Sequence, residues 1–296
     1  MEKKSTHCEI GFIGLGVMGK PMACNLIHNG YKVNFFARKK NIINSISRKG
    51  GNFVNSIGEL AKKNKIIFLN LTDDNAINDV ILSTNNVADN LNQGSIIVDF
   101  STISPSKAVA VSKILKKKKS YFLDCPVSGG EIGAIKGNLS IMVGGELRIY
   151  KKILHLLKCI GENITYIGES GSGQVAKVCN QIVVAQTISA ISEIFVLAKK
   201  TKTSQKKIRE ALLGGFAFSK ILEIHGEKII KQNFKPGFKT HLHLKDLKIA
   251  VNLAKRYGLS LRGAEYSKKL LQKAVRNNLQ DEDSASISKI VEKMSK

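Results

Sequence analysis

Lys177 and Asn180 stand three residues apart in GSGQVAKVCNQIVVAQ (171–186), a glycine turn followed by a mostly apolar run of helical character. At that spacing two side chains project from one face of a helix. An ammonium beside a carboxamide can serve a carbonyl undergoing reduction. The lysine donates a proton to the oxygen as charge develops there, and the asparagine fixes the geometry. Taken alone, such a lysine is more often one that lays its stem along apolar surface. The chemical reading needs a hydride source and a hold for a substrate elsewhere in the chain.

A candidate for the first is GFIGLGVMG, in which Gly14, Gly16 and Gly19 follow a strand-like EIGFIG and open a helix-like KPMACNLIHNG. In that setting Gly14 makes the tight turn, Gly16 admits a pyrophosphate to the backbone, and Gly19 lets helix and strand pack closely. The free N–H groups of the helix start bind the anion. The next strand, KVNFFA, ends at Ala37 and is followed by Arg38, Lys39 and Lys40. A site for NAD(H) usually carries Asp or Glu there to meet the ribose 2′-hydroxyl. Its absence, with Arg38 and Lys39 beside it, favours NADP(H) over NAD(H). A candidate for the second is DCPVSGG, where Ser128, Gly129 and Gly130 at a strand end offer a hydroxyl and N–H groups to a small carboxylate. Further on, NFKPGFKTHLHLKDL sets Phe238 on a loop and Lys245 and Asp246 on the helix start after it. A Lys–Asp pair on a surface would be worth very little. His225, His241 and His243 lack acidic partners at metal-ligand spacing, so no metal is expected.

These groups need elements to carry them. Over residues 9–168, apolar runs of strand length alternate with amphipathic runs of helix length. EIGFIG, KVNFFA, KIIFLNL, SIIVDFS, YFLDCPVS, LSIMVGG and ITYIG read as strands. Such alternation gives a mostly parallel sheet with helices on both faces. Ser56 and Glu59 have capping-box spacing, and Ser104 with Pro105 marks another helix start. After Gly171 strand signals cease, and helices are expected over 173–200, 204–213, 219–232, 241–257, 262–278 and 284–295. The expected fold is α/β: a Rossmann-type doubly wound domain (1–169), then a long connecting helix and an all-α C-terminal domain (170–296).

Composition narrows the class. The chain of 296 residues is 43% hydrophobic and 24% charged, ordinary for a globular protein. Its net charge of +24 could mark a nucleic-acid partner, but aromatics are only 6% and no RNA-binding signature is present. A lysine-rich surface of compositional origin is the favoured reading. Cys8, Cys24, Cys125, Cys159 and Cys179 are scattered, which argues against a disulfide framework and a structural zinc site; each reads as small apolar filler. MEKKSTHCEI lacks the apolar run of a signal peptide. The apolar run 182–198 is short for a membrane span and reads as a buried helix, so a cytosolic location is expected.

Taken in order, GFIGLGVMGKPMACNL, DCPVSGG with GNLSIMVGG, GSGQVAKVCNQ, and FKPGF with KDL resemble the β-hydroxyacid dehydrogenase family, over essentially the whole chain. The phrases PVSGGE, KVCNQIVVA and LHLKDL are most similar to the tartronate semialdehyde reductases (2-hydroxy-3-oxopropionate reductases) within it. The 3-hydroxyisobutyrate dehydrogenases and glyoxylate/succinic semialdehyde reductases are near neighbours. The resemblance implies hydride transfer from NAD(P)H to a short semialdehyde acid, with Lys177 as acid/base and Asn180 beside it. Ser128, Gly129 and Gly130, with Lys177, Asn180 and Asp246, would hold the substrate. The cofactor would lie against Gly14, Leu15, Gly16, Val17, Met18 and Gly19, with Arg38, Lys39, Asn70, Leu71, Thr102, Phe238 and Lys245 also in reach. It also implies a homodimer or homotetramer and no membrane. Two positions depart from the pattern: Thr72 stands where relatives often carry proline, and LSLRGA lacks another proline. Some relatives of this scaffold are non-catalytic and associate with nucleic acid, with an apolar residue in place of the lysine. The presence of Lys177 argues against that alternative.

Overall fold

The computed structural model describes residues 9–295; Cys8 and the rest of MEKKSTHC lie outside the described residues. Among the described residues nine strands form one sheet: β1 (Glu9–Ile13), β2 (Lys32–Phe36), β3 (Asn52–Phe53), β4 (Ile66–Leu69), β5 (Ile96–Asp99), β6 (Tyr121–Asp124), β7 (Val127–Ser128), β8 (Leu139–Gly144) and β9 (Gly161–Gly168). Their order is β3-β2-β1-β4-β5-β6-β8-β7, with β9 paired to β8. From β3 through β6 every pairing is parallel. The chain leaves β1 toward β2 and β3, then returns to continue on the other side at β4. That reversal creates a crevice at the carboxyl ends of β1 and β4, where doubly wound sheets bind ligands.

The strands alternate as a sheet buried on both faces requires. Ile10, Phe12, Ile66, Phe68, Ile96 and Val98 pack into one core, and Ile13, Ile67, Leu69 and Ile97 into another. YFLDCPVS, read as one strand, is two: β6 and β7 are separated at Cys125–Pro126, and both run antiparallel to β8. Proline has no N–H to give a ladder, so it sits at the break. β3 has only two residues and no apolar run to announce it. The helix starts behave as the sequence suggests. Ser56 Oγ accepts from Glu59 N–H at 3.1 Å, and Ser104 caps the helix Pro105–Lys117 with proline in its first turn.

The chain divides into two compact units, residues 1–177 and 178–296. The division falls inside the long helix Ser172–Lys200, eight residues later than the 169/170 boundary expected. The reason is local: the first turn of this helix is hydrogen-bonded to the strand ends, as described below. Unit 2 is helical: Gln205–Leu213, Lys220–Ile230, Thr240–Arg256, Arg262–Arg276, and Ile287–Met294 behind a 3₁₀ turn at Ser284–Ser286. Ala185 and Ile188 pack with Leu247, Leu270 and Ile287, while Ile191 and Phe195 pack with Leu222 and Ile229. The helix Ser172–Lys200 matches the one expected over 173–200, and by length and composition it could cross a membrane; 44% of its most apolar window is buried. Of the described cysteines, Cys125 is fully buried and burial pushes its thiol upward. Cys179 is exposed on the helix and is not core filler.

Candidate active site

The turn after β1 gives its three glycines three different surroundings. Gly14 has φ of +94°, and a Cβ there would lie 2.2 Å from the Asn70 carbonyl oxygen. At Gly19 a Cβ would lie 1.9 Å from the Gly14 carbonyl oxygen, so turn and helix touch backbone to backbone. Gly16 is the opposite case, since a Cβ there would meet nothing within 4 Å. The helix that follows, Gly19–His28, has no side-chain cap at Met18 and no acidic residue in its first turn. Uncapped N–H groups facing open space beside Gly16 fit the pyrophosphate of a dinucleotide. Leu15 is buried under the turn and Val17 is exposed on it. Asn70 and Leu71 follow β4 across the crevice, and Asn70 N–H donates to the Ile13 carbonyl at 3.0 Å.

Arg38 and Lys39 lie just past the end of β2, both exposed, and Lys39 is the N-cap of the helix Lys40–Ser47. No carboxylate among the described residues forms a salt bridge with either. The 2′ end of a dinucleotide would therefore meet uncommitted positive charge.

The ends of β5 and β6 carry a closely tied set of polar groups. Ser101 donates its N–H to Asp99 Oδ1 at 3.0 Å, and its hydroxyl accepts from Leu71 N–H at 2.7 Å. Half-buried Thr102 is next. Asp124, at the end of β6, accepts from Gly171 N–H at 2.8 Å and from Gln174 N–H at 2.9 Å. Its carboxylate thus caps the helix that bears Lys177, where negative charge also complements the helix dipole. Ser128 sits in β7 beside Ser140 of β8, followed by Gly129 and Gly130 at φ of +134° and +63°. That backbone turns out of the ladder with both glycines exposed, leaving hydroxyl and N–H groups at the surface.

Lys177 is only 7% exposed on a helix whose neighbours Val175 and Cys179 face outward. The helix is therefore not apolar all round. A seam of buried polar residues, Gln174, Lys177 and Gln181, runs along one face of it. A lysine lying along apolar surface would bring its ammonium out to water; this one is buried in a polar row.

Unit 2 contains a second tied group. Asn180 donates to Gln181 Oε1 at 2.8 Å, and Gln181 Nε2 donates to Asp246 Oδ2 at 2.6 Å. The other Asp246 oxygen lies 3.0 Å from Lys245 Nζ. Asp246 is 2% exposed, so the Lys–Asp pair is not the surface pair its sequence permitted. Both of its carboxylate oxygens are thus engaged, one by Gln181 and one by Lys245. Phe238 packs its ring against His243 at 5.4 Å, on a loop whose Gly237 N–H donates to Asp283 at 2.9 Å. His225 does have an acidic partner, Asp283 at 3.2 Å, which also binds Lys228. The partner is distant in sequence, so spacing could not reveal it.

Sequence reasoning passed over Asp124, Gln174, Ser101 and Gln181. Asp124 stood in the quoted DCPVSGG and Gln174 in GSGQVAK. The signal available was a polar residue inside an otherwise apolar periodic stretch.

Asp124 also yields a pH prediction. Burial pushes its carboxyl up to about 6, against the pull of the backbone N–H groups. The folded protein then holds this proton more tightly than the unfolded chain. Its contribution to stability is full below pH 3.8 and is lost as pH rises through about 6. Asp124→Asn cannot ionise, so the stability difference between wild type and variant should shrink steadily from pH 3.8 to about 6. Urea denaturation at several pH values measures it, and a difference that grows across that window would contradict the assignment.

Comparison with known proteins agrees with this geometry. The family model for the NAD binding domain of 6-phosphogluconate dehydrogenase matches residues 9–168, and that for the NAD-binding of NADP-dependent 3-hydroxyisobutyrate dehydrogenase matches 171–291. The chain is 37% identical to the 2-hydroxy-3-oxopropionate reductase of Escherichia coli K12, over 97% of this chain and 98% of that one. It is 30% identical to the 2-(hydroxymethyl)glutarate dehydrogenase of Eubacterium barkeri, over 97% and 95%. A solved Mycobacterium tuberculosis 3-hydroxyisobutyrate dehydrogenase with L-serine superposes with a TM-score of 0.86 at 27% identity, covering 96% of this chain and 99% of that one. The two family models and these relatives cover nearly the whole chain, and the chain belongs to the β-hydroxyacid dehydrogenase family of NAD(P)-dependent oxidoreductases that act on small hydroxy acids or their semialdehydes.

Proposed function

We propose that this protein reduces a carboxylate-bearing semialdehyde, tartronate semialdehyde to glycerate as the leading case, with NADPH as the preferred donor. The observation that carries the reading is Lys177: a buried lysine on a helix whose start is tied to the strand ends beside the dinucleotide crevice. The E. coli relative named 2-hydroxy-3-oxopropionate reductase supports the choice of aldehyde. Interconversion of 3-hydroxyisobutyrate and methylmalonate semialdehyde, or reduction of glyoxylate or succinic semialdehyde, is the alternative within the same chemistry. Homo-oligomerisation, a cytosolic location and the absence of a nucleic-acid role belong to the same proposal.

Bound NAD(P)H supplies the hydride to the carbonyl carbon. As the carbonyl π pair moves onto oxygen, Lys177 passes a proton from Nζ to that oxygen and is left as the amine. In the reverse direction the same amine takes the proton from the hydroxyl. Asn180 offers its amide to the same oxygen or to a neighbouring hydroxyl. Ser128 and the N–H groups at Gly129 and Gly130 hold the carboxylate, which orients the aldehyde. Thr102, Phe238 and Lys245 are assigned to contacts with the cofactor.

Cofactor choice follows from local charge. Arg38 can hydrogen-bond two oxygens of a 2′-phosphate, and Lys39 adds a less directional charge. One charge-assisted hydrogen bond is worth about 1.5–3 kcal/mol, which gives NADPH an advantage of roughly tenfold to a hundredfold. Exposure of Arg38 pulls this toward the lower end. Arg38→Ala should raise KM for NADPH and leave NADH kinetics almost unchanged; wild-type kcat/KM higher with NADH would reverse the choice.

Initial rates with NADPH and NADH against tartronate, succinic and methylmalonate semialdehydes and glyoxylate test the whole reading. Turnover should be highest with tartronate semialdehyde and NADPH. Faster turnover of another aldehyde would move the substrate; no turnover of any would refute the function.

A further inference from the structure

Gln174 has no part in the chemistry described, yet it is wholly buried and both ends of its carboxamide are spent on one loop. Its Oε1 accepts from Ile103 N–H at 3.1 Å, and its Nε2 donates to the Ser101 carbonyl oxygen at 2.8 Å. Thr102 is the residue between. A peptide group of an adjacent strand would pair a backbone in this way; past the end of β5 a side chain supplies the pairing instead. The backbone N–H of Gln174 donates to Asp124 at the end of β6. Ser101 accepts from Leu71 N–H beyond β4. One residue therefore joins the ends of β5 and β6 to the helix on which Lys177 follows three positions later.

We propose that Gln174 is a positioning residue that sets where Lys177 stands relative to the Thr102 loop, and so aligns the proton donor with the carbonyl to be reduced. This rests on Lys177 being the proton donor. The clamp needs one donor and one acceptor in a neutral group. Methionine in its place matches the length and supplies neither. A carboxyl supplies both only while protonated; once ionised it turns a second acceptor toward the Ser101 carbonyl. Loss of alignment should act on kcat and not on the hold of the aldehyde, because neither Gln174 contact involves the groups assigned to the substrate carboxylate.

The test compares wild type, Gln174→Met and Gln174→Glu, with the aldehyde that wild type reduces. Gln174→Met should lose roughly ten- to a hundredfold in kcat, the effect of misplacing a catalytic group by about an ångström. Its KM for the aldehyde, measured at saturating NADPH, should stay unchanged. In the cofactor-free protein, Ile103 N–H should exchange faster with deuterium than in wild type. Gln174→Glu should approach wild-type kcat at about pH 5 and lose it toward about pH 8, the range over which a buried glutamate titrates. Asp124, Asp99 and Lys177 are the ionisable neighbours common to all three proteins, so the variant-to-wild-type ratio at each pH is the readout. Undiminished kcat in Gln174→Met, unchanged exchange at Ile103, or a pH-independent ratio for Gln174→Glu would overturn the proposal. So would a loss of kcat matched by an equal loss of folded fraction. A wild type inactive toward every aldehyde would refute the proposed function instead, and the Ile103 exchange would still decide the clamp.

Discussion

Lys177→Ala is expected to lower kcat by roughly 10²–10⁴, the usual contribution of a positioned general acid. The loss should appear equally in kcat and kcat/KM, because protonation of the new alkoxide is felt in the transition state and not in the ground state. NADPH affinity should be nearly unchanged, since the phosphates are assigned to the Gly14–Gly19 turn. The fold should survive, because Asp124 and Gln174 hold the helix start. Removing a buried charged side chain leaves space at the site, so an added primary amine of matching size could restore part of the rate. Steady-state kinetics with and without such an amine check the point. A variant with near-wild-type kcat would remove Lys177 from the mechanism.

The second large effect separates binding from folding at two glycines three residues apart. Gly16 has no protein atom within 4 Å of a would-be Cβ, and its φ is not in the left-handed region. Gly16→Ala should therefore fold as wild type does. Its methyl would stand where the pyrophosphate approaches the backbone, at a cost of about 1–3 kcal/mol for overpacking, or roughly five- to 150-fold in NADPH Kd. Gly19→Ala differs in kind. Its Cβ would fall 1.9 Å from the Gly14 carbonyl oxygen, and backbone cannot yield as the end of a side chain can. That variant should lose thermal stability and cofactor binding together. Thermal denaturation and NADPH titration of both decide it. Equal loss of stability in the two variants, or unweakened NADPH binding by Gly16→Ala, would contradict the roles given to the turn.

The parts of this molecule that were legible in the sequence are those whose causes are local. The glycine turn after β1, the Ser104–Pro105 helix start and the helical repeat after Gly171 each lie within a few residues of what they determine. The sheet was legible as alternating runs, but not the antiparallel placement of β8 or the two-residue β3. Pairing direction depends on partners outside the strand, and two residues carry no period. Gln174 and Asp124 were quoted without being understood for the same reason: their partners lie 47 to 73 residues away. The burial of the Lys245–Asp246 pair was not legible either, because a Lys–Asp dipeptide looks alike whether exposed or buried. Only the packing of the helix Thr240–Arg256 decides which.

The central claim is direct hydride transfer to a carboxylate-bearing aldehyde with Lys177 as the acid. Incubating the enzyme with NADPH stereospecifically deuterated at the transferring position of the nicotinamide, together with tartronate semialdehyde, tests it most directly. The account predicts glycerate with a single deuterium on the carbon that had been the aldehyde, formed by wild type and scarcely at all by Lys177→Ala. Oxidation of the cofactor without deuterium in glycerate, or equal labelling by the variant, would contradict it.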